Sequence, residues 1–418
     1  MRVAGLISGT SLDAIDVAIV EFLPVGDDTL ELAVMAAGEE PWPDDLRRRV
    51  SGWLADPSAA VPLRELAATD MEVGHAFADA LVAVAGRNTI DVECLDLVVS
   101  HGQTVHHHVD ANGTAIASLQ IGQPAVLAER LGCQVVADLR PRDIAAGGQG
   151  APLVALFDAL LFTDPEHDVA VLNLGGIANL TVVPAGRADA AVAWDTGPAN
   201  AVLDALARRI GRDHDADGAL AMAGTADESL LDDLLADPWF AMPPPKSTGR
   251  ERFGDAYAAR LVERVPAAPD QFATATALSA RSIARSLGEH AAAWPARLWT
   301  GGGGTRNPAL MRALGDALRA AAPPGASAPE LLGVDDAGIP SGSKEAIAFA
   351  FLGHETLHGR TSSLAGATGA RHPSVLGAIW PAGHGQGARR HDGGEALPGG
   401  LVRHLRVRGA QARGVDGS

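Results

Sequence analysis

Two apolar runs flank a short polar turn at the start of the chain. Residues 15–19 alternate between large apolar side chains and small or polar ones, and a period of two residues is typical of a strand with one buried face. Residues 8–13, SGTSLD, separate the runs and predict the turn of a β-hairpin over residues 1–22. The same order of strand, small-residue turn and strand recurs at residues 168–183, so a second hairpin is expected there.

Helical and strand patterns alternate after each hairpin. This alternation predicts an α/β protein, and the pair of hairpins predicts two related lobes, residues 1–165 and residues 166–381. Residues 382–418 are rich in Gly and Arg and lack apolar periodicity, so they are expected to form a largely disordered tail with one short strand. The main predicted helices are AATDMEVGHAFADALVAVAG, PAVLAERLG, PLVALFDALLF, AVLDALARRIG, FATATALSARSIARSLGEHAAA and SKEAIAFAFLGHETLHG.

Composition narrows the choice of partners. With 418 residues, 47% of them hydrophobic, the chain can bury two ordinary cores. A formal net charge of -18 repels phosphate backbones and anionic membranes, which disfavours nucleic acid and membrane surfaces as partners. No apolar run is long enough for a membrane span, and Asp13 and Asp16 interrupt the only stretch that resembles a signal peptide. A cytoplasmic enzyme or binding protein is expected, and a homodimer is compatible with the sequence.

Cysteine and lysine are both scarce. Cys94 and Cys133 lie in apolar stretches without a C-x-x-C spacing, which predicts two buried thiols and no cysteine-based zinc site. Arginine supplies almost all the positive charge, and Lys246 and Lys344 are the only lysines. A specific task for each lysine and chance retention explain this equally well.

The first hairpin turn has the composition of a phosphate-binding loop. Gly9 allows close approach of the backbone to a ligand, and Thr10 and Ser11 add hydroxyl groups to the backbone N–H groups of the turn. Asp13 would be unfavourable beside a phosphate unless a divalent cation lay between them, and Mg²⁺ meets that need. Taken alone, the same residues favour an ordinary polar turn.

Two further glycine-rich loops fit a nucleotide. Gly175 and Gly176 form the second hairpin turn, and Gly301, Gly302 and Gly303 follow a predicted strand and precede a predicted helix. The second of these loops offers bare backbone on which a purine can lie. The sequence contains no G-x-x-x-x-G-K-[ST], and no G-x-G-x-x-G follows the first strand, which disfavours a P-loop and a dinucleotide fold.

Asp195 is the candidate catalytic carboxylate. It is predicted at the end of a strand in WDTGPAN, where ligands bind in open α/β sheets. There it could accept a proton from a hydroxyl or a water during phosphoryl transfer, although a helix-capping role fits the pattern equally well. His101 and Gln103, in SHGQT, suit sugar hydroxyls. Glu345, in the first turn of a predicted helix, either stabilises that helix or reaches a ligand hydroxyl.

Ten motifs, in order, resemble the anhydro-N-acetylmuramic acid kinases over roughly residues 3 to 380. They are SGTSLDAID, SHGQT, QIGQPAVLAE, ADLRPRDIAAGGQGAPL, LNLGGIANLT, WDTGPAN, PPPKSTGRE, GGGGTRNPALM, KEAIAFAFL and TGA. The resemblance implies the two-lobed actin-like, or ribonuclease H-like, fold with ATP in a cleft between the lobes. It also implies that water opens 1,6-anhydro-N-acetylmuramic acid while the freed 6-oxygen takes the γ-phosphoryl group, a step of cell-wall recycling.

The resemblance also assigns site residues. It makes Asp195 the base that activates the water. It makes the first hairpin turn the ATP phosphate loop, comprising Gly9, Thr10, Ser11, Leu12, Asp13, Ala14, Ile15 and Asp16. One departure stands out, because Ala14 occupies a position where the family usually has glycine, and a positive φ there would strain an alanine.

Two alternatives remain beside this kinase. One is a related anhydrosugar kinase of the levoglucosan type, whose substrate lacks the lactyl and acetamido groups. The other is a non-catalytic, actin-like regulator that binds a nucleotide. Turnover of ATP on each anhydrosugar distinguishes these alternatives.

Overall fold

The computed structural model describes residues 1–9, 12–55, 60–110, 113–250, 252–382 and 402–408. The strands are β1 (Arg2–Ser8), β2 (Ile15–Val25), β3 (Thr29–Glu40), β4 (Leu97–Val109), β5 (Ala115–Ile121), β6 (Gln134–Ala137), β7 (Val169–Leu174), β8 (Ile177–Val183), β9 (Val192–Pro198), β10 (Arg297–Gly301), β11 (Glu330–Gly333), β12 (Ala378–Trp380) and β13 (His404–Val407). The helices are α1 (Asp44–Ala55), α2 (Leu63–Arg87), α3 (Pro124–Leu131), α4 (Leu139–Ala145), α5 (Ala155–Phe162), α6 (Asn200–Arg209), α7 (Ala219–Ala223), α8 (Glu228–Leu235), α9 (Asp255–Arg264), α10 (Ala268–His290), α11 (Pro308–Ala321), α12 (Lys344–Leu357) and α13 (Ala365–Thr368).

The chain divides into two compact units. The first unit combines Met1–Leu161 with Asp335–Ser418, and the second is Phe162–Val334. This division differs from the expected lobes, 1–165 and 166–381, chiefly at the C-terminal end. Helix α12 packs against β1, β2 and β4 of the first unit, and this packing returns the chain to the unit in which it began.

The sheet of the first unit is built on the N-terminal hairpin. Its order is β12-β6-β4-β1-β2-β3-β13, and β5 pairs with β4 off this path. Strands β1 and β2 are antiparallel with Ile7 opposite Asp16, whereas β1, β4 and β6 are parallel. Since parallel strands end at the same edge, the first hairpin turn lies at the edge where β1 and β6 end.

The sheet of the second unit repeats this arrangement. Its order is β11-β10-β7-β8-β9, with β7, β8 and β9 antiparallel and β7, β10 and β11 parallel. Read from the other end, β9-β8-β7-β10-β11 matches β3-β2-β1-β4-β6 in order and direction. This is the ribonuclease H-like arrangement in each half, and it confirms the predicted pair of hairpins.

The two faces of the first sheet have different packing. One face buries Val17 and Ile19 with Phe77 and Leu81 of α2 in a single apolar cluster. On the other face, a methyl group at Gly5 would overlap the backbone carbonyl oxygen of Ala346, so α12 lies directly against β1 only because Gly5 has no side chain. Most of α12 is buried, as expected of a helix that is apolar on nearly all sides.

The second unit has its core around α10. Apolar residues of β7, β8 and β9 pack against α10, and the indole nitrogen of Trp194 donates a hydrogen bond of 2.7 Å to Ser286 Oγ. A neighbouring cluster contains the aromatic side chains of Trp239, Phe240 and Phe253. No helix in the described ranges of either unit has the length and apolar character needed to cross a membrane.

Two strand ends, the cysteines and the C-terminal tail can be compared with their predictions. Strand β4 continues past the predicted SHGQT end to Val109, and β9 continues past Asp195 to Pro198. Cys133 is buried as predicted, but Cys94 is exposed, so the prediction for Cys94 is wrong. In the predicted tail, residues 404–407 form β13 beside β3, while residues 383–401 and 409–418 lie outside the described residues.

A buried ion pair joins α5 and α12 within the first unit. Lys344 Nζ lies 2.8 Å from both carboxylate oxygens of Asp158, and each side chain is only 2% exposed. Burial raises the pKa of Asp158, and the Lys344 ammonium opposes that effect. One of the two lysines therefore supplies the positive partner that a buried carboxylate needs.

We expect Lys344→Met to destabilise the protein by about 3–5 kcal/mol, because Asp158 would be left buried without a counter-ion. Urea unfolding followed by circular dichroism measures this loss. The double variant Lys344→Met/Asp158→Leu removes both charges and should recover most of the lost stability. If the single variant unfolds at the wild-type urea concentration, the ion pair has no structural role.

Candidate functional site

The first hairpin turn is anchored from outside the hairpin. The Ser8 hydroxyl donates to the Ala14 carbonyl at 2.9 Å and accepts a hydrogen bond of 3.0 Å from the Trp42 indole nitrogen. Arg47 Nε donates to the Leu12 carbonyl at 3.0 Å, and Leu12 N–H donates to the Gly9 carbonyl at 3.1 Å. The described residues on both sides of the turn are thus anchored by hydrogen bonds, several of them to residues outside the hairpin.

The strain expected at Ala14 does not occur. Among the described non-glycine residues of this turn, the positive φ falls on Leu12, at 54°, and Ala14 is not in the left-handed region. The Leu12 side chain is buried, which offsets this unfavourable backbone. Thr10 and Ser11, predicted to contact ATP, lie outside the described residues.

Carboxylates crowd together beside the turn. Burial, followed by the charges of Glu345, Glu39 and Asp13, raises the pKa of Asp16 from 3.8 to about 7. Burial also raises the pKa of Glu345, against the opposing charges of Lys344 and Arg140. Asp13 itself is exposed. The structure thereby places Glu345 in the electrostatic environment of Asp16, a proximity that the sequence did not predict.

These carboxylates can be tested for a fit to Mg²⁺. The described part of the chain contains no group of three or more His, Cys, Asp or Glu side chains arranged to hold a metal ion. Mg²⁺ at kinase sites is usually bound by one or two carboxylates, water and the substrate phosphates, so a protein cage is not required. Asp13 and Asp16 fit that mode, since the mutual repulsion around Asp16 would be relieved by a cation.

His101 orients an arginine. Because a carbonyl only accepts hydrogen bonds, His101 Nδ1 donates to the Gly102 carbonyl at 3.0 Å, and His101 Nε2 accepts from Arg140 Nε at 2.9 Å. Burial, reinforced by the Arg140 charge, lowers the pKa of His101 to about 3, so the imidazole is neutral at physiological pH. Arg140 Nη1 also donates to the Gly150 carbonyl at 2.7 Å.

Arg140 and Asp143 are two further candidate site residues, which the sequence did not single out. Asp143 Oδ1 accepts a hydrogen bond of 2.7 Å from Thr368 Oγ1, and its Oδ2 accepts one of 2.8 Å from Gly150 N–H. This carboxylate therefore ties the glycine loop after α4 to the TGA motif that begins at Thr368. Both residues lie in the motif ADLRPRDI, which is visible in the sequence. Their spacing alone, however, indicates no particular chemistry.

Gln103 lies inside β4 beside unsatisfied polar atoms. Its side chain is fully buried, and Nε2 donates to the Thr104 carbonyl at 3.0 Å while Oε1 has no hydrogen-bond partner. A recess of about 110 Å³ borders Ser100, His101 and Trp380, and in it Ser100 Oγ and Trp380 Nε1 also lack partners. Unpaired buried polar atoms favour a polar ligand or water at this edge of the sheet.

Asp195 lies at a β-bulge in the second unit. Asn179 pairs with Asp195 and Ala178 pairs with Gly197, which leaves Thr196 as an extra residue on β9. Bulges of this kind redirect neighbouring side chains. The Asp195 backbone N–H donates to the Lys246 carbonyl at 3.0 Å, and Asp195 Oδ2 accepts a hydrogen bond of 2.8 Å from Thr248 N–H.

Asp195 does not cap the following helix. Helix α6 begins at Asn200, and its N-cap is Ala199, which provides no side-chain hydrogen bond. The Asp195 carboxylate instead meets the loop that contains Thr248, and it is partly exposed. The capping alternative is therefore wrong, and the alternative of a carboxylate presented to a ligand remains.

The second hairpin turn is fixed to the start of α6. The Gly176 carbonyl accepts N–H hydrogen bonds of 2.9 Å from both Ala199 and Ala201, and the Gly175 carbonyl accepts one of 3.0 Å from Asn200 N–H. These contacts place the turn next to the end of β9. Gly175 and Gly176 thus lie in the same unit as Asp195 and near the end of its strand.

The third glycine loop packs against the end of β7. Gly301 ends β10, and Gly302 has a φ of 86°, where a Cβ atom would lie 2.7 Å from Asn173 Oδ1 and 2.8 Å from the Leu174 carbonyl oxygen. A Cβ atom on Gly303, by contrast, would make only an ordinary contact, 3.8 Å from Arg306 Nη2. Since Gly175 follows Leu174 directly, the structure brings two of the three predicted glycine segments together in the second unit.

Comparisons with known proteins agree with one another. A family model described as anhydro-N-acetylmuramic acid kinase matches residues 1–382. A relative from Rhodococcus erythropolis is 43% identical over 398 residues, 92% of this chain and 95% of the relative. One from Streptomyces avermitilis is 45% identical over 386 residues, 91% and 94% of the two chains, and one from Salinibacter ruber is 41% identical over 389 residues, 90% and 95%. Each relative bears the name anhydro-N-acetylmuramic acid kinase.

The raised pKa of Asp16 predicts a pH dependence of stability. Its folded value of about 7 exceeds the ordinary 3.8, so the folded protein keeps a proton that the unfolded chain has released. The stabilisation from this group is complete below about pH 4 and is lost as pH rises towards 7. The side chain introduced by Asp16→Asn is uncharged at every pH. We therefore expect the Tm of this variant minus the Tm of wild type to increase as the pH rises from about 4 to 8.

Thermal unfolding of both proteins over this pH range measures the difference. Asp27→Asn removes an exposed carboxylate of the same unit that is not among the charges acting on Asp16, and its Tm difference from wild type should vary much less with pH. A Tm difference for Asp16→Asn that does not vary with pH would contradict the proposed environment of Asp16.

Proposed function

The chain belongs to the anhydro-N-acetylmuramic acid kinase family, and from this we propose that it converts 1,6-anhydro-N-acetylmuramic acid and ATP to N-acetylmuramic acid 6-phosphate and ADP. The structural observation that carries the proposal is the Asp195 carboxylate, held by a backbone N–H at a bulge in the same unit as two glycine-rich turns. The reaction recovers a cell-wall sugar, and the alternative of a non-catalytic regulator loses its support.

The glycine turns suit the nucleotide. In the first unit we assign the ATP phosphates to the loop from Gly9 to Asp16, which Trp42 anchors at Ser8 and Arg47 anchors at Leu12. In the second unit we assign further phosphate contacts to Gly175 and Gly176, and the purine to the loop from Gly301 to Gly303. Backbone N–H groups in such turns bind anions without a lysine.

Asp13 and Asp16 would hold Mg²⁺ together with the nucleotide phosphates. When bound, the metal would neutralise charge on the transferred phosphoryl group. The carboxylates of this chain would contribute by accepting the cation, and Glu345 increases the negative potential around Asp16. The N–H groups of the turn would keep the phosphates in line.

Asp195 is the proposed general base. Its carboxylate takes a proton from a water, and the water oxygen forms a bond to the anomeric carbon of the sugar. The bond from that carbon to the bridging 6-oxygen breaks, and its electron pair remains on the 6-oxygen. This oxygen forms the new bond to the γ-phosphorus, and ADP leaves with the bridging oxygen of the β- and γ-phosphates.

We assign the sugar to the first unit around Arg140, Gln103 and Glu345. Arg140 keeps its positive charge, although burial lowers its pKa to about 10, and His101 fixes the plane of its guanidinium group. A guanidinium group held in this way suits the carboxylate of a lactyl group. His101 is therefore proposed to act through Arg140, whereas the sequence suggested direct contact with sugar hydroxyls.

The proposal is tested by an assay of ADP release with 1,6-anhydro-N-acetylmuramic acid in water enriched in heavy oxygen. We expect turnover that depends on this sugar and label at the anomeric hydroxyl of the product, since water attacks that carbon. Levoglucosan should be a much poorer acceptor. Turnover with levoglucosan alone, or product without label, would overturn the substrate or the mechanism respectively.

We expect Asp195→Asn to lower kcat roughly 10²–10⁴-fold, because an amide cannot accept the proton of the water. Binding of ATP, measured by calorimetry, should change little. Asp189→Asn, which removes an exposed carboxylate of the same unit, is the control and should retain activity. A kcat for Asp195→Asn close to the wild-type value would disprove the assignment of the base.

A further inference from the structure

The second of the two lysines lies buried beside the strand that carries Asp195. Lys246 is 6% exposed, and its Nζ donates hydrogen bonds to the Phe240 carbonyl at 2.8 Å and to the Trp239 carbonyl at 3.4 Å. The ammonium group also lies 4.7 Å from the centre of the Trp239 ring. These contacts anchor one point of an otherwise largely exposed loop, residues 241–250, to the aromatic core of the second unit.

The backbone of this anchored loop contacts Asp195 on two sides. The Lys246 carbonyl accepts the Asp195 backbone N–H at 3.0 Å, and two residues later Thr248 N–H donates to Asp195 Oδ2 at 2.8 Å. A backbone N–H bonded to a carboxylate favours its charged form and restricts its rotation. The position of Asp195 therefore depends on where residues 246 and 248 are held.

We propose that Lys246 is a positioning residue for Asp195: its ammonium group anchors the loop whose Thr248 N–H orients and stabilises the Asp195 carboxylate. This inference rests on the proposed function only where it concerns turnover. The anchoring and the hydrogen bond to Asp195 are properties of the second unit whether or not a sugar is phosphorylated. Arginine could not replace this lysine simply, because its planar guanidinium group needs more space than the compact ammonium group.

The charges around Lys246 come from several elements. Its ammonium group interacts electrostatically with Arg285, Glu289 and His290 of α10 and with Asp195 of β9. Burial is the largest effect and lowers the pKa of Lys246 to about 8. The two backbone carbonyls and the ring of Trp239 are thus what hold the group in place, rather than one strong ion pair.

The test compares Lys246→Met with Thr248→Pro, which removes the N–H donor directly. For both variants we expect kcat to fall roughly 10- to 100-fold, the effect of one hydrogen bond to a charged group, with KM values within about twofold. The acid limb of the pH profile of kcat should move to higher pH, because the carboxylate loses the N–H that favours its charged form. Thr248→Ala keeps the N–H and should have a smaller effect than Thr248→Pro.

The double variant tests whether the two residues act as one unit. If Lys246 acts through the N–H of Thr248, Lys246→Met/Thr248→Pro should be no more impaired than the worse single variant. Arg252→Met is the matched control, because it removes a second cation over the Trp239 ring that is exposed and paired with Asp237. Its kcat and pH profile should match the wild type. Fully additive losses would overturn the proposal.

A readout without turnover separates this inference from the proposed function. Carbon-13 NMR of aspartate-labelled protein, with the Asp195 signal assigned from Asp195→Asn, should show Asp195 titrating at higher pH in Lys246→Met and Thr248→Pro than in wild type. An unchanged titration in folded Lys246→Met would overturn the proposal, even if the kinase is active. An inactive wild-type protein that shows the expected NMR shift would refute the kinase and leave the positioning role intact.

Discussion

The direct contact between β1 and α12 is the constraint on which the first unit depends. Gly5 has no side chain, so the backbone of α12 lies against the strand at Ala346. This approach puts the first turn of α12 at the end of the N-terminal hairpin, where Glu345 raises the pKa of Asp16 and Lys344 pairs with Asp158. One missing methyl group thereby links the C-terminal part of the chain to the candidate phosphate loop.

The two candidate carboxylates have opposite environments. Asp16 is half-buried among other acids, which favours its neutral form or a bound cation. Asp195 is partly exposed at a bulge and accepts a backbone N–H, which favours its charged form. A carboxylate that attracts a cation and a carboxylate that accepts a proton are the two kinds that phosphoryl transfer from a metal nucleotide requires. Under the proposed function, Asp16 and Asp195 would fill these two roles, one in each unit.

Each of the two lysines has a buried partner within its own unit. Lys344 neutralises a buried carboxylate, and Lys246 satisfies two buried backbone carbonyls. Arginine is the commonest cation of this chain, whereas these two buried positions hold the compact ammonium group of lysine. His101 is also buried, and its imidazole is neutral. Its contribution is the hydrogen bond that orients Arg140, not a charge of its own.

The sequence by itself determined the strands, the two hairpins and most helices, because periods of two and 3.6 residues follow from local geometry. It also identified Asp195 and the glycine loops as candidates, because the ordered motifs that contain them together resemble one family. Only the tertiary structure decided that Asp195 meets Thr248, that Glu345 acts electrostatically on Asp16, and that α12 belongs to the first unit. Each of these contacts joins residues far apart in the chain, and packing and burial, which have no local signature, decide which of them form.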